Sequence, residues 1–255
     1  MDIIIFGGQS NMQGQTGSMP ETNEAVEGAL EYKVNENALV PLKLPVGEDL
    51  GGNKYLLGAS HECGSLIPPF CREYIKQTGR EVVAISACRG DTTVEDWQKG
   101  TYCYRTAAYK ITRGIAKAKT LGEVEHVYFV WLQGESDAII ESTEDEYTER
   151  ITRLKNTLKH EVGIEKFGII KVGYFYCNSQ WHKGGTYEHK IACDETIMSA
   201  QERAVREDSD FVMLTRVCTE LSMNKAYINP EASGHYNNEA MEIIGREAAR
   251  ALAEI

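Results

Sequence analysis

Ile3-Ile4-Ile5-Phe6-Gly7-Gly8-Gln9-Ser10-Asn11-Met12 opens the chain with an unbroken apolar run, two glycines and then a serine. A continuous run without alternation suits a strand buried on both faces of a parallel sheet. The glycines permit the tight turn that ends it. Ligands of open α/β sheets bind where strands run out at their carboxyl ends, so Ser10 stands where a nucleophile would. An ordinary loop serine, or an anion-binding turn ahead of a helix, would carry the same letters.

Four further apolar segments extend the pattern: Arg80 to Ala87, His126 to Leu132, Phe167 to Tyr176 and Phe211 to Leu214. Between and after them, apolar residues recur at helical spacing. Tyr104, Ala107, Ile111, Ile115 and Ala118 share one face, as do Tyr147, Ile151, Leu154 and Leu158. Ile197, Gln201, Ala204 and Val205 mark a weaker helix, and Ala240, Ile244, Ala248 and Leu252 the last one. Strands alternating with helices predict an α/β fold, a flavodoxin-like three-layer α/β/α sandwich with a five-stranded parallel sheet. At 255 residues one domain over 1–255 buries an ample core, and neither a repeat nor a composition break divides it. Residues 13–60, rich in Gly, Asn and Glu, are expected to form an irregular loop excursion over the opening beside Ser10.

The formal net charge of −11 argues against a nucleic-acid partner or an anionic membrane, both of which reward clustered Lys and Arg. No apolar run approaches the ~20 residues of a membrane span, and no secretory signal is visible ahead of the first strand, though a removed one would leave the same sequence. The seven cysteines are scattered without a Cys-x-x-Cys pair, and several lie in apolar stretches, which favours a reducing, cytoplasmic setting over a disulfide framework. Cys177, His182, His189 and Cys193 match no zinc-finger spacing, so neither a metal nor another cofactor is expected. Oligomeric state leaves no signature.

Three more strand ends lie on the same rim as Ser10. They carry Cys88-Arg89-Gly90-Asp91-Thr92, Gln133-Gly134-Glu135-Ser136-Asp137 and, ahead of the terminal helix, Asn229-Pro230-Glu231-Ala232-Ser233-Gly234-His235. Acyl transfer needs these residue types. A serine hydroxyl attacks only when an imidazole takes its proton, which pairs Ser10 with His235. The oxyanion then needs fixed donors, which the N–H groups of Ser10 and Gly90 and the Gln133 amide would supply. Glu135 and Asp137 could instead be the paired carboxylates of a glycosidase, or Glu135 could buttress its loop or orient Arg89. Glu62 reads equally as a helix cap. Trp181, with His182, reads as a sugar-stacking wall. His61, His126, His160 and His189 carry no second feature.

The words around Ser10 differ from the Gly-x-Ser-x-Gly elbow of the common α/β-hydrolases. They resemble the SGNH (GDSL-like) hydrolases, most of all the branch holding the acetylxylan esterases of carbohydrate esterase family 6 and the sialate O-acetylesterases, which opens Gly-Gln-Ser-Asn-Met. Arg89-Gly90-Asp91-Thr92-Thr93 with Trp97 resembles the second block of that branch, Gln133 to Asp137 the third, and His235 before a helix containing Gly245 the last. The resemblance implies a serine esterase that removes O-acetyl groups from carbohydrate through an acyl-enzyme on Ser10. Substrate contacts are expected at Gln9, Asn11, Arg89, Glu135 and Trp181. One position departs. The family carries an aspartate three residues before the histidine, and here that residue is Ala232. A backbone carbonyl orienting the ring in a Ser-His dyad, Glu231 as the acid partner, or an impaired site that only binds glycan are the readings left open.

Overall fold

β1 (Asp2–Gly8) runs through the middle of a seven-stranded sheet. Around it lie β2 (Ala29–Lys33), β3 (Ala38–Pro41), β4 (Val82–Cys88), β5 (Val127–Leu132), β6 (Lys166–Ile170) and β7 (Phe211–Thr215), in the order β3-β2-β4-β1-β5-β6-β7. The computed structural model describes residues 1–51, 56–175, 187–232 and 234–255, with the side chains of all of these except 187–193. Every residue of β1 and β4 is buried, as the continuous apolar runs require of strands covered on both faces. After β1 the chain builds β2, β3 and β4 on one side of it and then crosses to β5 on the other, so the crevice that ligands use in such sheets opens at the end of β1.

Helices cover both faces. α2 (Ile67–Thr78) and α8 (Asn238–Ala253) pack together on one, and α3 (Tyr102–Ala118), α5 (Glu144–Val162) and α6 (Tyr187–Glu207) on the other, while α4 (Glu135–Ile139) and α7 (Cys218–Ser222) are short helices that follow β5 and β7. Their starts are fixed by side-chain caps: Thr101 for α3, Thr143 with Glu146 in a capping box for α5, and Asn237 for α8. Gly245 brings α8 against the backbone of α2. A Cβ there would stand 2.6 Å from the Leu66 carbonyl oxygen and 3.0 Å from the Phe70 nitrogen. Gly245→Ala is therefore expected to destabilise the protein by about 1–3 kcal/mol through overpacking, read as a lower urea midpoint.

Two features correct the sequence reading. The sheet has seven strands rather than five, because the 13–60 excursion contributes the hairpin β2–β3, with β3 antiparallel to its neighbour. Local letters hid it, since β2 carries Glu31 and Lys33. The buried Glu31 carboxylate pairs with Lys33 at 2.8 Å and accepts from the Gly47 N–H at 2.7 Å. Nearby, the fully buried Lys110 of α3 meets Glu48 at 2.8 Å. β6, expected to run from Phe167 to Tyr176, stops at Ile170. Beyond it the N–H groups of Val172, Tyr174 and Phe175 donate to the side chains of Gln201, Ser222 and Asp194 instead of to a strand. Trp181, Cys177 and His182 lie outside the described residues, as do the side chains of His189 and Cys193.

Cys71, Cys88, Cys103 and Cys218 are buried free thiols, and burial pushes Cys88 and Cys218 up to about 12. Among the described residues no helix is long and apolar enough to cross a membrane.

Candidate active site

Register brings the site together. Gly8 stands opposite Cys88 on one side and Leu132 on the other, so the segments leaving β1, β4 and β5 start level with one another. Gly8 adopts φ +139°, and a Cβ on it would lie 2.1 Å from the Leu132 carbonyl oxygen; only glycine makes this exit. The chain then enters the short helix α1 (Ser10–Gln13), with Ser10 as its first residue and nearly buried.

His235 arrives from the far end of the chain. Its Nε2 is 2.9 Å from Ser10 Oγ, and its Nδ1 is 3.2 Å from the Ala232 carbonyl oxygen. With the proton on Nδ1 pointing to that carbonyl, Nε2 is left to accept from the serine hydroxyl, the tautomer a general base needs. The loop is fastened on several sides. Asn11 Nδ2 donates to the Gly234 carbonyl at 3.3 Å and to Glu135 Oε1 at 2.7 Å, while Asn11 Oδ1 accepts from Tyr236 N–H at 3.3 Å. The Phe175 ring meets the imidazole edge-on at 5.4 Å.

Several residues expected at the substrate are instead built into the scaffold. Gln133 is fully buried, and its amide hydrogens go to Thr92 O at 2.9 Å, Gln9 Oε1 at 3.1 Å and Asp137 Oδ2 at 2.6 Å, leaving none for an oxyanion. Gln9 is buried with its oxygen turned to Gln133 and to the N–H of Ser136 at 3.2 Å. Asn11 and Glu135 are buried against each other, and burial lifts the Glu135 carboxyl. Asp137, also buried, is pushed up to about 6 by desolvation, against the hydrogen bonds of Gln133 and the Val94 N–H. These two carboxylates therefore face protein partners and not a glycosidic bond.

Arg89 is half-buried with its Nε enclosed and without a hydrogen-bond partner, near Cys103 at the head of α3. Glu231 is exposed, and among the described residues its carboxylate holds neither a hydrogen bond nor an ion pair. The position of a Cβ on Gly90 would be 3.5 Å from Ser10 Cβ, so this glycine does flank the serine. Its N–H, however, donates to Gln13 Oε1 at 2.9 Å, while Gln13 Nε2 holds the Ala59 carbonyl at 2.6 Å. Gln15 Nε2 would also stand 3.5 Å from that Cβ, and among the described residues the Gln15 amide has no hydrogen-bond partner. Sequence reasoning passed over Gln13 and Gln15. Their signal was proximity, for both follow Ser10 within five residues.

Among the described residues the one grouping of a metal-holding kind, Asp2, Glu125 and His126, is at the opposite end of β1. There Arg80 and Tyr74 already engage Asp2, at 2.7 Å and 2.6 Å.

Residues 1–254 match the model of the family described as carbohydrate esterase, sialic acid-specific acetylesterase. The chain belongs to this family. Within the carbohydrate esterase family it is similar to an Arabidopsis thaliana protein bearing the name probable carbohydrate esterase, 28% identical over 116 residues. That match spans 45% of this chain and 40% of the relative. In shape it resembles a solved Arabidopsis thaliana structure at TM-score 0.67 and 19% identity, covering 99% of this chain and 98% of that one. It also resembles NanS at TM-score 0.60 and 13% identity, covering 99% and 95%. A third likeness is a carbohydrate acetylesterase of Xanthomonas citri, at TM-score 0.56 and 16% identity, of which the chain covers 56%. At these identities the likenesses establish the α/β fold that the family shares.

Proposed function

We propose that this chain is a serine esterase that removes O-acetyl groups from carbohydrate, with Ser10 and His235 as its catalytic pair. The observation that carries the reading is the 2.9 Å contact between Ser10 Oγ and His235 Nε2. His235 Nε2 takes the hydroxyl proton as Ser10 Oγ attacks the acetyl carbonyl. The tetrahedral oxyanion meets the N–H of Ser10, which no described protein group occupies. It also meets the Gly90 N–H once Gln13 Oε1 yields it, and the Gln15 amide, which no other described group engages. The Nδ1–H to Ala232 carbonyl bond keeps the ring aligned while it is charged. His235 then gives the proton to the sugar oxygen as its bond to the acetyl carbon breaks, which releases the sugar hydroxyl and leaves acetyl-Ser10, and water cleaves that ester by the reverse sequence.

The test is acetate release from p-nitrophenyl acetate and from acetylated xylo-oligosaccharide. Ser10→Ala is expected to abolish it to within background, and equal rates in the two proteins would remove Ser10 from the chemistry. Gly90→Ala supplies a second expectation. Its methyl would touch Gln13 Oε1 at 3.4 Å and Ser10 Cβ at 3.5 Å, ordinary contacts that the fold accepts, yet it fills the space beside the nucleophile. A fall in kcat/KM of about tenfold or more, equal to ~1.4 kcal/mol in the transition state, with an unchanged melting temperature is expected.

A further inference from the structure

The end of the sheet away from Ser10 holds a second set of reactive side chains, which ester cleavage does not use. Asp2 opens β1, and Glu125 and His126 lead into β5 beside it. One carboxylate oxygen of each acid and one ring nitrogen of His126 lie within 4.8 Å of one another. Backbone bonds fix the strand starts that carry them. The Ile3 N–H donates to the His126 carbonyl and the Glu125 N–H to the Met1 carbonyl, each at 2.9 Å. With β1 rising about 3.3 Å per residue, the cluster stands roughly 20 Å from the rim that carries Ser10.

Asp2 is the decisive member. It is fully buried, and Tyr74 Oη and Arg80 Nε both approach its Oδ2, at 2.6 Å and 2.7 Å. Its Oδ1 is enclosed and has no hydrogen-bond partner among the described residues. A buried carboxylate oxygen without a donor is costly, and a cation beside it removes the cost. His126 is prepared in the complementary way. Its Nδ1 lies 2.9 Å from Glu165 Oε2. A proton held there leaves the Nε2 lone pair for a metal, the arrangement in which a carboxylate orients a metal-binding histidine. Glu125 is exposed, with Oε1 3.3 Å from the Met1 amino group. Three carboxylates, Asp2, Glu125 and Glu165, thus face two cations, Arg80 and that amino group.

We propose that Asp2, Glu125 and His126 bind a divalent transition-metal ion of the Zn²⁺ class, with Glu165 as the positioning residue behind His126. One nitrogen and two oxygen donors suit such an ion better than Mg²⁺ or Ca²⁺, which take oxygen donors. Bonds of about 2.0–2.2 Å set donors up to about 4.4 Å apart, so the exposed Glu125 closes the remaining distance and water completes the shell. The work of the ion is structural: it ties the start of β5 to the start of β1, far from Ser10. Spacing gave no sign of it, because Asp2 and the Glu125-His126 pair are remote in the chain and meet only through the sheet.

The experiment titrates chelator-treated protein with ZnCl₂ in a calorimeter and follows the melting temperature with and without the ion. Wild type is expected to bind one Zn²⁺ per chain with micromolar or tighter affinity. At a hundredfold excess over Kd the melting temperature should rise by about 5 °C or more. Glu165→Gln is expected to weaken binding by about tenfold, and Glu125→Gln and His126→Ala to weaken it further. These three residues are exposed or half-buried, so the ion-free melting temperatures stay near that of wild type. MgCl₂ should give neither the binding heat nor the shift, and saturating Zn²⁺ should leave hydrolysis of p-nitrophenyl acetate unchanged. Zn²⁺ binding weaker than micromolar in wild type, or equal binding by wild type and all three variants, overturns the proposal. So does inhibition by Zn²⁺ that persists in Glu125→Gln and His126→Ala, which would place the ion at Ser10 and His235 instead.

Discussion

Alanine at position 235 is expected to lower kcat for acetyl ester hydrolysis by about 10⁴–10⁶-fold, with a much smaller change in KM. The imidazole is the group in contact with the Ser10 hydroxyl, at 2.9 Å, and a serine without a base is a weak nucleophile. A substrate bound at Ser10 touches the ring only through the proton it moves, so the loss should fall on turnover rather than on affinity. Fluorophosphonate labelling of Ser10, followed by intact mass, should slow in parallel, because the same proton must leave. A melting temperature close to that of wild type is the control, since the loop is also held through Asn11 at Gly234 and Tyr236. Retention of turnover within tenfold would mean that another base serves Ser10. Replacement by glutamine, which can hydrogen-bond to the serine but cannot take its proton at neutral pH, should be as damaging as alanine.

The parts of this architecture that were legible are those whose physics is local. β1, β4 and β5 are buried on both faces, and such strands must be continuously apolar, so their letters announce them. Ser10 and Gly90 follow such runs directly, and His235 precedes an amphipathic helix, so the rim they share could be read from order alone. β2 and β3 were not legible, because the groups that make Glu31 tolerable in a strand, the Gly47 N–H and the Lys33 ammonium, act through the folded neighbourhood. α2 was equally quiet. It begins Ile67-Pro68-Pro69, residues that interrupt a helix interior yet fit its first turn, where N–H groups have no partner to lose. The glutamines teach the same lesson within the site. Gln133 has the right type and the right strand end to face an oxyanion. The direction of its amide is set by Thr92, Gln9 and Asp137, which only the tertiary fold brings within reach.

That difference makes the outcome of Gln133→Leu decisive. Leucine keeps most of the volume but strips the donors from Thr92 O, Gln9 Oε1 and Asp137 Oδ2 in a fully buried place. Unsatisfied buried acceptors cost about 1–3 kcal/mol each, and more when charged. A net destabilisation of about 3–5 kcal/mol is therefore expected, which for a chain of this size lowers the melting temperature by roughly 10 °C. The loss should depend on pH. Burial raises Asp137 from 3.8 to about 6, and the Gln133 bond works against that rise. A carboxyl whose folded value exceeds its unfolded one costs stability as pH climbs through that interval, and the cost is complete above the folded value. Without Gln133 the folded value rises further, so the deficit of the variant should widen above the wild-type value of about 6 and shrink as the pH falls toward 3.8. Urea titrations of both proteins at one pH below 6 and at one well above it measure the difference. A glutamine that served the oxyanion would behave oppositely, leaving the urea midpoint in place and lowering kcat by about 10²–10³-fold. A stable, slow variant would thus return Gln133 to the reaction, and an unstable one with pH-dependent loss keeps it in the frame that holds Ser10 opposite His235.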